Sequence, residues 1–181
     1  MRPKTTPYRS LIEERCRLFG FDPDLIEALI IVESGGNADA FRYEPGYYRR
    51  YLKGKEGEKS IYFHLCHDGP PIPRRIASSY GLMQVMYPTA VEAGYRDLPE
   101  YLFVPVINLY CGLTILDEIR REVEEEISDE GLHQRVMLAR WNGGKRGNPR
   151  KDGSLRNLDY AIMVEQCWQR LKKWREREAS A

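Results

Sequence analysis

One carboxylate stands out by its setting. Glu33 closes the stretch IEALIIVESGG, residues 26 to 36, just before a Ser-Gly-Gly stop. At the helical repeat, Ile30 and Ile26 fall three and seven positions before Glu33 and share its face. An apolar face of this kind is buried, so a carboxylate at its rim loses hydration in its charged form. The negative end of the helix dipole acts in the same direction. A carboxyl held near neutral pH with its proton can donate it to a leaving group, which is the work of a general acid. A Glu near a helix end is more often solvated and inert, so this reading needs support from other parts of the chain.

Other residues offer chemistry of lower specificity. His64, Cys66 and His67 lie together in HLCH, but no second ligand pair follows at a familiar zinc spacing, so no metal is expected. Residues 40–76 hold five tyrosines, two phenylalanines and eight Lys or Arg against four acids, with a proline-rich exit. Such a stretch reads as a long functional loop with some local helix. Its aromatic rings suit the apolar faces of sugars, or else pack the loop onto the body. In SSYGLMQ, Gly81 permits a tight bend and Gln84 supplies a donor and an acceptor; alone, these residues describe an ordinary turn.

These side chains must be positioned by helices. Residues 8–19 place Leu11, Ile12, Cys16 and Phe19 at helical intervals before Gly20. Asp22-Pro23 opens a second helix with an N-cap and a first-turn proline, and its apolar rows make it central. Pro88 starts a short helix that Gly94 ends. A long helix begins at about Pro105, with Leu109, Leu113 and Leu116 in one stripe; the acidic REVEEEISDE that follows reads as a solvated helix end. Leu132–Trp141 is another helix, running into Asn142-Gly143-Gly144 and a polar loop. The last runs from Asn157 to about Arg177 and aligns Tyr160, Val164, Cys167, Leu171 and Trp174. No alternating strand pattern is found, so the fold expected is mainly α, a single domain over residues 1–181 with its core at about 8–175.

Composition bounds the function. A chain of 181 residues with 42% hydrophobic content suits one globular domain. With 28 Lys and Arg against 27 acids, a dedicated nucleic-acid binder is not expected. No apolar run reaches membrane-spanning length. The four cysteines show no CxxC pairing and read as free thiols, three of them half buried. The N-terminus MRPKTTPYRS lacks the apolar core of a secretory signal, so synthesis in the cytoplasm is expected.

Several segments, in this order, resemble the catalytic domain of the soluble lytic transglycosylases, relatives of goose-type lysozyme. They are Glu33-Ser34-Gly35 at a helix end, Tyr80 to Met86 (YGLMQVM) with Pro88-Thr89-Ala90, PVINLYCG from Pro105, Ala139 to Gly144 (ARWNGG), and Tyr160-Ala161 with Val164. The resemblance implies a lysozyme-like helical fold in which the Tyr-rich stretch 40–76 is an insertion, since the family joins the Glu to the GLMQ segment by a much shorter connection. Trp141 stands where the family usually has a tyrosine. The absent signal and the unusual loop fit a phage-type enzyme delivered to the cell wall.

The resemblance also implies a reaction: cleavage of the β-1,4 bond between N-acetylmuramic acid and N-acetylglucosamine in peptidoglycan glycan strands, by a monomer that needs no cofactor. Glu33 would be the acid and then the base. Ser34 would close the helix end, Gln84 and Met86 would line the groove, Asn142 would bind substrate or support the site, and Tyr160 would place its hydroxyl near Glu33. Most glycosidases use a second carboxylate. None stands in a family-matched position here; Asp39, Glu44 and Asp97 are the nearest by location. That favours a lyase giving a 1,6-anhydro product over a lysozyme-like muramidase. A catalytically silent glycan-binding or phage structural module is the reading of another class.

Overall fold

The structure, a computed structural model, describes residues 3–54, 72–144, 154 and 156–180. It is mainly helical, and the chain divides into two compact units, one of Met1–Val32 with Leu113–Ala181 and one of Glu33–Gly112. The helix boundaries follow local chemistry. Helix α1 (Arg9–Phe19) ends at Gly20, whose left-handed backbone at φ 70° lets its N–H reach the Cys16 carbonyl at 2.8 Å. Helix α2 (Pro23–Ser34) starts after Asp22, whose carboxylate accepts the Asp24 N–H at 2.8 Å.

In the first unit, Ile12, Ile26, Leu29, Leu113, Val136 and Val164 are among the fully buried side chains. The later helices here are α6 (Pro105–Glu126), which enters this unit at Leu113, α7 (His133–Gly143) and α8 (Leu158–Ala179), the last two packed on each other. Charge is buried as well. Glu27, in the apolar run of α2, is 0% exposed. Its carboxylate accepts the Thr6 N–H at 3.0 Å and the Arg9 guanidinium at 3.1 Å, and it also pairs with Arg175 of α8. Asp24, one turn earlier, takes the same two arginines at 2.6 and 2.7 Å. The ends of α2 and α8 are thereby clamped to the N-terminal segment.

The acidic end of α6 is exposed, as the sequence suggested, and two of its acids also meet a buried cation. Glu122 and Glu126, one turn apart, both reach Arg140 of α7, at 3.4 and 2.5 Å. Arg140 is 2% exposed, so these two acids neutralise a cation that packing has withdrawn from water.

The second unit also holds three short strands, for which the sequence showed no alternating pattern. Strands β1 (Phe41–Tyr43), β2 (Ser78–Tyr80) and β3 (Val85–Met86) form an antiparallel sheet in that order, with Phe41 opposite Tyr80 and Ser79 opposite Met86. Segments of two or three residues are too short to show an alternating pattern, and β2 is buried along its whole length. The β1–β2 pairing joins the two ends of the insertion, and the Glu44 N–H continues it to the Ala77 carbonyl at 2.8 Å. Beyond β1 lie the short α3 (Pro45–Tyr47) and a π-helical turn, Tyr48–Leu52. The chain returns through α4 (Ile72–Ile76). After β3 come α5 (Tyr87–Glu92), a 3-10 turn (Pro99–Phe103) and the start of α6.

Candidate active site

Glu33 occupies the last turn of α2, where it is half-buried, while Ile26 and Ile30 earlier on the helix are fully buried. The helix stops because Gly35 and Gly36 take left-handed backbone angles, φ 65° and 81°. The Ser34 hydroxyl accepts the Gly36 N–H at 3.2 Å, and the Ser34 carbonyl accepts the Asn37 N–H at 3.2 Å. Asn37 then holds the next turn, with its side chain accepting from the Asp39 N–H at 3.0 Å and its carbonyl from the Ala40 N–H at 3.3 Å. The segment leaving Glu33 is thus bonded step by step as far as Ala40.

There it meets the second sequence motif. The Ala40 carbonyl accepts the Gly81 N–H at 2.8 Å and the Gln84 side-chain N–H at 3.0 Å; the same Gln84 amide also donates to the Gly81 carbonyl at 3.0 Å. Both Gln84 N–H groups are therefore used inside the fold, and the side chain links the turn between β2 and β3 to the segment that follows Glu33. Gln84 itself has φ 49°, an unusual conformation for a residue with a side chain, held by these bonds. Met86 follows in β3, half-buried.

The turn is held from beneath by Asn108, which lies in the PVINLYCG segment at the start of α6. Asn108 is 0% exposed. Its amide donates to the Tyr80 and Leu102 carbonyls, each at 2.8 Å, and its oxygen accepts the Met83 N–H at 2.8 Å. A side chain with two donors and an acceptor matches three backbone groups that would otherwise be stranded in the core. Gly81 is required twice: its φ is 69°, and a Cβ would strike the Leu102 carbonyl and the Asn108 amide. Gly112, one turn beyond Asn108 on α6, leaves the space filled by the Met83 side chain. The spacing of Asn and Gly in PVINLYCG follows from this seat.

Among the alternative acids, Glu44 is engaged by Arg42 at 2.5 Å, and Asp39 and Asp97 are exposed loop residues. The His64, Cys66 and His67 cluster lies outside the described residues. Among the described residues, no group of three His, Cys, Asp or Glu is placed to hold a metal ion. Cys16, Cys111 and Cys167 are free and buried, more deeply than expected. Burial pushes the Cys16 thiol up to about 12 and Cys111 to about 11. Neither is suited to act as a nucleophile.

A model of the transglycosylase SLT domain matches residues 10–163, most of the chain. The chain belongs to this family. Its members act on peptidoglycan as glycan-cleaving enzymes. Neither the curated proteins nor the solved structures gave a match. The matched region of the SLT domain contains Glu33, Ser34, Gln84, Met86, Asn142 and Tyr160. The first four belong to the unit Glu33–Gly112, and Asn142 and Tyr160 to the other.

Within that second unit, Asn142 is an exposed residue of the last turn of α7, and Tyr160 is half-buried in the first turn of α8. The Asn-Gly-Gly sequence of the SLT domain has a local cause here. A Cβ on Gly143 would collide with the amide of Asn157, which has φ 57° and donates to the Ala139 carbonyl at 3.5 Å. No described helix of the domain is long and apolar enough to cross a membrane.

Proposed function

We propose that this SLT domain is a lytic transglycosylase that cleaves the β-1,4 bond between N-acetylmuramic acid and N-acetylglucosamine, with Glu33 as acid and then base. The observation that carries this reading is the setting of Glu33, a half-buried carboxylate at the end of an apolar helix, followed by turns bonded to the Gln84 segment. A glycosidic oxygen leaves poorly, so Glu33 protonates it as positive charge develops at the sugar carbon. The substrate's 2-acetamido group stabilises that charge. Glu33, now ionised, takes the proton of the muramic C6 hydroxyl, whose oxygen closes onto the same carbon and leaves a 1,6-anhydro end. The hydroxyl competes with water because it is part of the same sugar. No cofactor enters this sequence of steps, and a monomer suffices for it.

Ser34 supports the helix end that presents Glu33, Gln84 and Met86 line the glycan's path, and Asn142 and Tyr160 serve substrate binding and the orientation of the acid. Mass spectrometry of digested walls tests the whole reading. Anhydro-muropeptides are expected with the wild type, and Glu33→Gln should lower their rate of release by about 100-fold or more. Reducing-end products in place of anhydro ends would instead identify a muramidase using a loop acid such as Asp39 or Asp97. Unchanged wall-related activity in Glu33→Gln would identify a catalytically silent module.

A further inference from the structure

The insertion beyond β1 presents a feature that cleavage by Glu33 does not use. From Pro45 to Gly54, PGYYRRYLKG, the chain carries three cations and no acid, within a protein of net charge +1. Glu44, just before it, is occupied by Arg42 at 2.5 Å. The arm is anchored from one side: Leu52 is 4% exposed and Tyr47 is half-buried, and the π-helical turn packs against α4. The opposite side is offered to solvent. Arg49, Arg50 and Lys53 are exposed, and Tyr51 is 47% exposed.

These exposed groups are ordered by one another. The Tyr47 and Tyr51 rings lie 4.8 Å apart, and the Arg50 guanidinium stands 5.9 Å from the Tyr51 ring centre. At the root of the arm, Arg74 stands 5.8 Å from the centre of Phe41, itself 42% exposed. Two arginine–aromatic pairs on one insertion form a surface that can hold a flat or apolar group while drawing in negative charge. A short π-helical turn is uncommon and tends to mark sites with a role.

We infer that this arm, centred on Arg49, Arg50, Tyr51 and Lys53, is an accessory docking site for the carboxylate-bearing peptide stems of the wall glycan. The inference rests on the peptidoglycan reading above. The stems project from the sugar chain at regular intervals, and their carboxylates complement the three exposed cations of residues 45–54, a segment with no acid in its own sequence, although Glu92 of α5 stands near Tyr47 on it. In peptide-bearing strands the lactyl carboxylate is held as an amide, which leaves the stems as the source of negative charge. Docking there would raise the occupancy of the cleavage site through a second, weak contact on the same strand.

The test is binding of the full chain, carrying Glu33→Gln to prevent turnover, to sacculi freed of secondary polymers. In that background, combined Arg49→Ala, Arg50→Ala and Lys53→Ala should weaken binding by roughly tenfold at low salt, and the difference should shrink as salt rises. Tyr51→Ala should weaken it less. Strands stripped of peptides by an amidase, with the lactyl carboxylates that this frees then capped as simple amides, should bind the parent no better than sacculi bind the triple variant. Equal binding of sacculi by parent and triple variant, with unchanged circular dichroism, would overturn the inference, as would equal binding of stripped and peptide-bearing strands by the parent. The product assay with wild type decides the catalytic reading separately, so an active enzyme with an indifferent arm loses only this inference.

Discussion

The Asn108 side chain donates to the Tyr80 carbonyl at 2.8 Å, across 28 residues of sequence. With its bonds to Leu102 and Met83, this contact seats the β2–β3 turn on the first turns of α6. The turn in turn holds Ala40 through Gly81 and Gln84, so the segment that leaves Glu33 and the start of α6 are joined through one buried amide.

Asn108→Ala strands two carbonyls and an N–H in the core. It should cost about 2–4 kcal/mol in denaturant unfolding. Asn108→Asp retains the acceptor for Met83 but sets a carboxylate against two carbonyls, and should do no better than the alanine variant near neutral pH. Wild-type stability in either would contradict the seat.

Gly112→Ala should destabilise even though alanine favours a helix interior by about 1 kcal/mol. The added methyl meets the Met83 sulfur. In a double-mutant cycle with Met83→Ala, which vacates that space, the combined loss should be smaller than the two single losses added, by about 1 kcal/mol or more. Strict additivity would show that the two residues are independent.

Glu27→Ala should cost about 3–5 kcal/mol, because Arg9, left with Asp24 and Glu13, and Arg175, left with Asp24, each lose a buried partner and the buried Thr6 N–H loses its acceptor. Glu27→Gln preserves the bond to Thr6 and should lose less. Denaturation of the two variants side by side separates the charge from the hydrogen bond.

Glu100 gives a pH signature. Its bidentate bonds from Arg75, at 2.6 and 2.8 Å, hold its carboxyl below the usual carboxylate range, against a smaller opposing effect of burial. Because the folded-state pKa lies below the unfolded one, the stabilisation is complete above the unfolded value and fades as pH falls through the folded one. Glu100→Gln should therefore be less stable than wild type at pH 7, and the two should converge in acid. A gap that persists at low pH would assign the effect to packing.

What could be read from the sequence, and what could not, divides by range. The stop of α1 at Gly20, the start of α2 at Asp22-Pro23 and the apolar stripe of α6 depend on neighbours a few residues apart, so the sequence by itself determined them, along with the family and the candidacy of Glu33. The strands were too short to leave a pattern. Glu27 sits in an apolar helix, and its neutralisation by Arg9 and Arg175 depends on residues 18 and 148 positions away. Arg140 and the acids of α6 likewise looked like ordinary surface charge until packing withdrew the arginine from water. Gln84 offered a donor and an acceptor to any partner, and only the tertiary structure decided that its N–H groups go to Ala40 and Gly81. The physical reason is the same throughout: a polar side chain's type states what it can bond, but burial and the distant backbone brought to it decide what it must.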